Sequence, residues 1–249
     1  MMELMTLAPI PSALDQILWA FVDEAVAEVT GRSIRPLKAE DGHLFIEKRA
    51  ASSNSSETQA FMDGDKDILI FSDAGGTGRS YHAAQTAKNQ KRRRHYLLEP
   101  GWRADGAIQG LGRTHRSAQV SAPFFRVCTS DVHGEKRFTS TIAKRLDQLG
   151  ALTKGQRETG SQGMFREEDN LESPIARAAL RGYFADLAAG RAEAMSYESF
   201  TDWTALRLID KDGVLLEELP PIQRFLNRVL ALPIHMQNAL FAEFMRRIA

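Results

Sequence analysis

The chain has 249 residues, 43% of them hydrophobic and 26% charged, which is the balance of a soluble globular protein with ample length to bury a core. Its 32 Lys and Arg offset 32 Asp and Glu, so no global field favours nucleic acid or a membrane surface. The single cysteine, Cys128, excludes an internal disulfide and a cysteine-built zinc site, and no apolar stretch approaches the ~18 residues of a membrane span.

Met1–Pro11 lacks the basic and apolar regions of a signal peptide, so the expected location is cytoplasmic. Leu14, Ile17, Leu18, Phe21, Val22, Ala25, Val26 and Val29 then recur with a 3.6-residue period, predicting a first helix. Ser12 with Asp15 resembles its capping box, and Gly31 suits its stop. Phe21–Ala25 ends in Asp-Glu-Ala like the acidic box of an ATPase, but that box needs a strand and the run reads as helix. Short strands 34–38 and 43–48 form a hairpin about Asp41-Gly42, followed by a small, polar loop over 50–56 and a short helix over 57–62.

Ile68–Phe71 is a continuous apolar run, the look of a strand in a parallel sheet, and a Gly-rich turn, Ser72–Ser80, follows it directly. A second strand covers 95–98, and Pro100-Gly101 precedes a helix predicted over 103–115 with Ala104, Ile108 and Leu111 on its apolar side. On the same helix Gln109, Gly112, Arg113 and Arg116 form a polar stripe with two cations, facing an anion rather than a core. A third strand covers 124–129, and a helix over 135–149 buries Phe138, Ile142, Leu146 and Leu149. Strands alternating with helices give an α/β class. Beyond Gly150 an extended loop over 153–170 leads to helices at 175–189, 197–205, 221–232 and 234–248, with a turn at 210–213. The expected organisation is therefore an α/β domain over 1–150 and a loop with a helical extension over 151–249.

Nine cations lie between Arg79 and Arg116, opposed only by Glu99 and Asp105, a local balance of +7 that marks a phosphate-facing region. The run Lys91-Arg92-Arg93-Arg94 reads as an exposed basic loop within it. No Gly-x-x-x-x-Gly-Lys-Ser/Thr loop and no Gly-x-Gly-x-x-Gly occurs, so no ATP or Mg²⁺ site of the chain's own is evident. The six histidines show no metal-ligand spacing and read as structural or surface groups; no metal site is expected. No nucleophile elbow supports a Ser/His/Asp triad.

These residues carry a resemblance. Gln-x-x-Gly-Arg-x-x-Arg at 109–116 resembles the sixth motif of superfamily 2 helicases, and Ser72–Ser80 resembles their fifth. The wider text, Phe71–Ala83, Lys88–His95, Gly112–Arg116, Leu149–Gln156 and Glu168–Ser173, is similar to the Strawberry notch family in its bacterial, plasmid and phage branch, from about Leu7 to the end.

The resemblance implies a RecA-like C-terminal helicase lobe, a mostly parallel sheet with flanking helices, followed by a helical tail. It implies an ATP-driven nucleic-acid motor in which ATP sits between two such lobes. Arg116 takes the role of arginine finger and Arg113 its partner on the γ-phosphate, with Gln109, Gly112 and Gly78 toward the nucleotide. Ser72, Gly75, Gly76, Thr77 and Arg79 contact the nucleic-acid backbone, and Lys91, Arg92 and Arg93 extend that track, with DNA preferred over RNA. The first lobe, which carries the phosphate loop and acidic box, is missing here. The expectation is thus a split or truncated product that uses ATP and Mg²⁺ only with an N-terminal lobe supplied in trans from a neighbouring gene. The alternatives are a non-enzymatic nucleic-acid-binding or regulatory remnant, and a degenerate chain that self-associates through exposed apolar surface.

Overall fold

The structure, a computed structural model, describes residues 11–21, 23–39, 41–50, 52–73, 78–99, 101, 103–148 and 169–248. They fall into two compact units, one within Met1–His95 and Gln109–Phe124, the other within Tyr96–Ile108 and Phe125–Ala249.

In the first unit, helix α1 (Ala13–Ala20) starts as its sequence predicts: the Ser12 Oγ accepts from the Asp15 backbone N–H at 3.1 Å. It stops at Ala20, nine residues short of the periodic pattern, and Asp23–Ala25 forms a 3₁₀ turn. Val26–Val29 is strand β1, not helix, and every residue in it is buried. A short apolar run buried on both faces carries no period that separates strand from helix, and here β-branched valines and parallel pairing decide it. The acidic pair sits before this strand rather than at its end, so the rejection of an ATPase acidic box stands.

The hairpin forms as expected from β2 (Ile34–Lys38) and β3 (Leu44–Lys48), in antiparallel register from Ile34↔Lys48 to Lys38↔Leu44. Helix α2 (Ser53–Asp63) begins earlier than the predicted loop allowed and ends on Gly64 at φ +89°. Strand β4 (Ile68–Phe71) pairs parallel with β1, from Val26↔Ile68 to Val29↔Phe71. Ala27, Phe61 and Tyr81 form the core between this pair and α2, with Met62, Leu69 and Phe71 against it.

Strands β5 (Arg94–Leu97) and β6 (Phe124–Val127) form a second pair. The Phe124 N–H donates to Arg93 O and the Cys128 N–H to Leu97 O, so both strands advance together, as parallel strands do. Helix α3 (Ala104–Leu111) ends four residues before its predicted stop, and turns over 112–114 replace its last turn. Gly110 and Gly112 weaken a helix there, and the Thr114 Oγ1 returns to Leu111 O at 3.2 Å, offering the backbone another partner.

The 3₁₀ turn His133–Glu135 leads into α4 (Lys136–Gln148). Ile142 and Ala143 of α4 pack with Ala107, and Leu97, Ala104, Ile108 and Val127 lie against them. The predicted contributions of Leu146 and Leu149, and most of the 153–170 loop, lie outside what is described. The predicted helical run is present as α5 (Pro174–Ala188), α6 (Tyr197–Thr204), α7 (Ile222–Arg228) and α8 (Ile234–Arg246). Ser173 and Ser196 cap α5 and α6, and Pro174 sits at the first helical position. Their core is aromatic: Tyr183, Phe184, Phe200, Phe225, Phe241 and Phe244 are all buried. The class is α/β, with two parallel strand pairs and flanking helices, and none of the described helices is long and apolar enough to cross a membrane.

Candidate functional site

The Gly-rich turn leaves β4 with the Ser72 N–H donating to Val29 O at 3.2 Å. Gly75, Gly76 and Thr77 lie outside the described residues; Gly78 re-enters at φ +77°, a conformation that favours glycine, with open space where a Cβ would stand. Arg79 turns back onto α2, donating to Asn54 O and Thr58 Oγ1 at 2.9 Å each and to Ser55 Oγ at 3.1 Å.

From Arg79 onward the turn is stitched to the segment that follows α3. The Tyr81 N–H donates to Arg113 O at 2.7 Å, and the Arg113 guanidinium donates to Arg79 O at 3.0 Å. The Gln85 N–H donates to Ala118 O, the Val120 N–H to Ala83 O, and Ala84 bridges Gln119 in antiparallel fashion. The two segments singled out in the sequence are therefore neighbours in space. They are not arranged as predicted: α3 ends at Leu111, so Gln109 stands on the helix while Gly112, Arg113 and Arg116 stand on the turn and loop after it.

An open cleft of about 480 Å³ is lined by Gln109, Gly112, Arg113, His115, Arg116 and Ser117. Arg116 is exposed beside it; its Nε donates to Gly112 O at 3.2 Å and its backbone N–H to Gln119 Oε1 at 3.1 Å. Among the described residues this bond uses one of the five guanidinium N–H donors, and the fixed Nε aims the group. Arg113 is half-buried, and its bond to Arg79 O gives it a positioning role in the loop. His82 lies near Arg116: burial, then the charges of Arg116 and Arg93, hold its imidazole below the ordinary histidine pKa, so it is neutral at pH 7. Its Nδ1 is buried without a hydrogen-bond partner.

The basic run divides into exposed and buried side chains. Lys91 is exposed and pairs with Asp67 at 2.8 Å; Arg92 is exposed and donates to Ala122 O at 2.9 Å. Arg93 departs from the expected exposed loop. It is 6% exposed, donates to the carbonyls of Tyr81, Asn89 and Lys91, and lies 4.8 Å above the Phe61 ring. Its charge is used inside the fold and does not face a nucleic-acid track. His95, two residues on, is buried as well: burial takes its pKa down to about 4, and its Nδ1 bonds Thr114 Oγ1 at 2.8 Å.

One charged cluster escaped the sequence reading. Glu28, fully buried on β1, bonds Arg32 at 2.7 and 3.0 Å and Arg49 at 3.2 Å, with Thr30 on the same oxygen and an Arg35 nitrogen at 3.7 Å. Burial pushes its carboxyl pKa up, but the hydrogen bonds from Arg32 and Thr30 and the charges of Arg32 and Arg49 outweigh that and hold it below the usual range. Asn54 joins this cluster to the Gly-rich turn: its Nδ2 donates to Thr30 O, its Oδ1 accepts from Arg49, and its carbonyl accepts from Arg79. Reading β1 as helix concealed the cluster. Among the described residues no group of three or more His, Cys, Asp or Glu is placed to hold a metal ion.

The cleft thus offers an aimed guanidinium, a second guanidinium that braces the loop, and a side-chain amide from α3. That set has the chemistry to neutralise and orient an anion such as a terminal phosphate.

Comparison with known proteins gives one consistent result. The model of the family described as the C-terminal domain on Strawberry notch homologue matches residues 12–249. Protein strawberry notch of Drosophila melanogaster is 39% identical over 271 residues, covering 94% of this chain and 16% of the relative. Protein strawberry notch homolog 1 of Homo sapiens is 39% identical over 257 residues, covering 94% of this chain and 18% of the relative. Protein FORGETTER 1 of Arabidopsis thaliana is 37% identical over 257 residues, covering 89% of this chain and 20% of the relative. The chain spans about a fifth or less of these curated relatives. No solved structure matches.

Proposed function

The chain belongs to the family of the C-terminal domain on Strawberry notch homologues, and we propose that it acts as the second, RecA-like lobe of an ATP-driven nucleic-acid motor. The α/β architecture, with parallel strand pairs and flanking helices, is that of a helicase C-terminal lobe. The observation that carries the reading is the cleft after α3, where Arg116 and Arg113 stand with Gln109 and are held by the ladder to the Gly-rich turn.

In this reading Arg116 is the arginine finger. It lowers the barrier by matching negative charge that grows on a transferring phosphoryl group. Arg113 holds the loop in register and Gln109 orients the nucleotide. ATP with its Mg²⁺ supplies the phosphoryl group, and an ATP-binding lobe in trans supplies the phosphate loop and acidic box. Ser72 and the backbone about Gly78 face the nucleic acid, DNA before RNA, with exposed Lys91 and Arg92 extending the contact; Arg93 is withdrawn from that set. The lobe works in the cytoplasm.

The test is reconstitution with a separately expressed ATP-binding lobe, measuring nucleic-acid-stimulated ATP hydrolysis. Arg116→Ala lowers turnover by about 10³-fold or more. Unchanged turnover refutes the finger, and robust hydrolysis by the 249-residue chain alone refutes the dependence on a partner lobe. A second reading, a non-enzymatic nucleic-acid binder, draws on exposed Lys88, Lys91, Arg92 and Arg94. Salt-dependent binding that ignores nucleotide, in the presence of the other lobe, favours it.

A further inference from the structure

Arg116 is held at two points. Its guanidinium Nε donates to Gly112 O at 3.2 Å, and its backbone N–H donates to Gln119 Oε1 at 3.1 Å. A glutamine oxygen reaching back three residues to a backbone N–H is the bond that closes a helix start in a capping box, used here on a loop. The reach depends on the turn at 117–118. Ala118 stands at φ +57°, third of the four residues from Arg116 to Gln119, a place where turns of this kind take glycine or asparagine. A residue with a Cβ persists there only when the surrounding structure fixes it. Three contacts do so: Ala118 O accepts from the Gln85 N–H at 3.0 Å, Gln119 bridges Ala84, and the Val120 N–H donates to Ala83 O at 2.8 Å.

We infer that Gln119 is the positioning residue for Arg116: it fixes the backbone from which the guanidinium meets the cleft, and takes its own place from residues 83–85 beyond the Gly-rich turn. The assignment rests on the reading of Arg116 as an arginine finger. Helix α3 does not perform this task, because it ends at Leu111, five residues earlier. The bonds at Arg113, from its guanidinium to Arg79 O and from the Tyr81 N–H to its carbonyl, fix the loop three residues upstream. The Gln119 amide is the contact that fixes the Arg116 backbone itself. An amide suits the place. Its oxygen accepts the N–H, and its neutrality adds no charge beside a cleft lined by Arg113 and Arg116. The chemistry is sensitive to such placement, since a shift of about 1 Å in a reacting group costs about 10²-fold in rate.

The experiment pairs amide exchange of the full chain, followed by NMR, with ATP hydrolysis after reconstitution with a separately expressed ATP-binding lobe. The Arg116 amide is protected in the wild type and in Gln119→Glu, and exchanges about 10-fold faster in Gln119→Met, which keeps the side-chain length and removes the acceptor. In the reconstituted enzyme Gln119→Met lowers kcat by about 10- to 100-fold and leaves KM within about threefold, because the misplaced guanidinium is missed only in the transition state. Gln119→Glu keeps an acceptor at the same reach, so kcat stays within about threefold, while its added charge repels nucleotide and raises KM. Rates are compared where the urea midpoint shows the variants folded, so the loss reports placement and not a smaller folded fraction. An unprotected Arg116 amide in the wild type, or wild-type kcat in Gln119→Met, overturns the inference and leaves the proposed function standing. Equal losses of kcat in Gln119→Met and Gln119→Glu overturn it too, because the acceptor is then not what matters. A protected amide without hydrolysis by the reconstituted wild type overturns the proposed function while the hold of Gln119 on Arg116 stands. Wild-type exchange and Gln119→Glu keep the test decisive even where Gln119→Met folds poorly.

Discussion

The two units of this chain are held together by different physics. In the C-terminal helices, aromatic rings meet edge to face: Phe184 and Phe225 centroids lie 5.7 Å apart at 81°, and Phe225 and Phe244 lie 5.5 Å apart at 70°. In the unit that carries the cleft, arginines do much of the joining. Arg49, Arg79, Arg93 and Arg113 each donate to backbone carbonyls of distant segments. Dispersion among rings is non-directional and tolerates small shifts. A guanidinium on a carbonyl fixes a distance and an angle, which is what loops need if they are to hold Arg116 and the Gly-rich turn in place without regular structure. The contrast separates stability by packing from stability by placement, and four changes test it.

The largest effect is expected in the helical core. Phe225→Ala removes a fully buried ring and costs about 3–5 kcal/mol, read from the urea midpoint. A loss below that of any cluster variant in the other unit breaks the contrast. Next is Glu28→Gln, which leaves Arg32 and Arg49 facing a neutral amide in a buried place and costs about 3 kcal/mol in the same assay.

The third concerns pH. His95 has a folded pKa of about 4 because it is buried, whereas the unfolded chain takes up a proton near 6.5. Its contribution is complete above about pH 6.5 and is lost as pH falls toward 4, with about 2 kcal/mol gone at pH 5. His82, also held below the ordinary value, adds a loss of the same sign. Glu28 and Glu172 lie below the usual carboxylate range and release their contributions only in stronger acid. Amide exchange at pH 5 should therefore rise around β5 before it rises in α5, and His95→Leu should remove most of that early change. Simultaneous opening of both regions contradicts the sign. The smallest effect is at Lys91, whose ion pair with Asp67 is exposed on both sides: Lys91→Ala shifts stability by under about 0.5 kcal/mol, yet lowers the salt slope of polyanion binding by about one.

What was legible in the sequence was what is local. The Asp41-Gly42 turn, with the His43 N–H on Asp41 Oδ1, declares its hairpin within a few residues. Ser173-Pro174 and Ser196 announce the starts of α5 and α6. The two candidate segments stood out because glycines and arginines recur there in the order of two helicase motifs. What failed was decided at a distance. Val26–Val29 became a strand because Ile68–Phe71 lies beside it, not because of its own pattern. The predicted Gln/Arg stripe assumed that α3 continues, but Thr114 ends up bonding His95, nineteen residues earlier. Arg93 was read by its charge; the Phe61 ring and the Tyr81 carbonyl that help claim it come from earlier segments, beside the nearer carbonyls of Asn89 and Lys91.

The ladder between residues 79–85 and 113–120 has a consequence for how such chains change over generations. Ala83, Ala84 and Gln85 meet Val120, Gln119 and Ala118 in antiparallel phase, while Tyr81 meets Arg113 through a separate bond. Deleting or inserting one residue within 83–85 or 118–120 shifts these rungs by a position and turns their side chains to the opposite side. The stretch between the rails, for instance around exposed Leu98, Glu99 and Gly101, can change length without breaking a rung. Within the rails, the pairing constrains spacing more strictly than it constrains which side chain stands at each position.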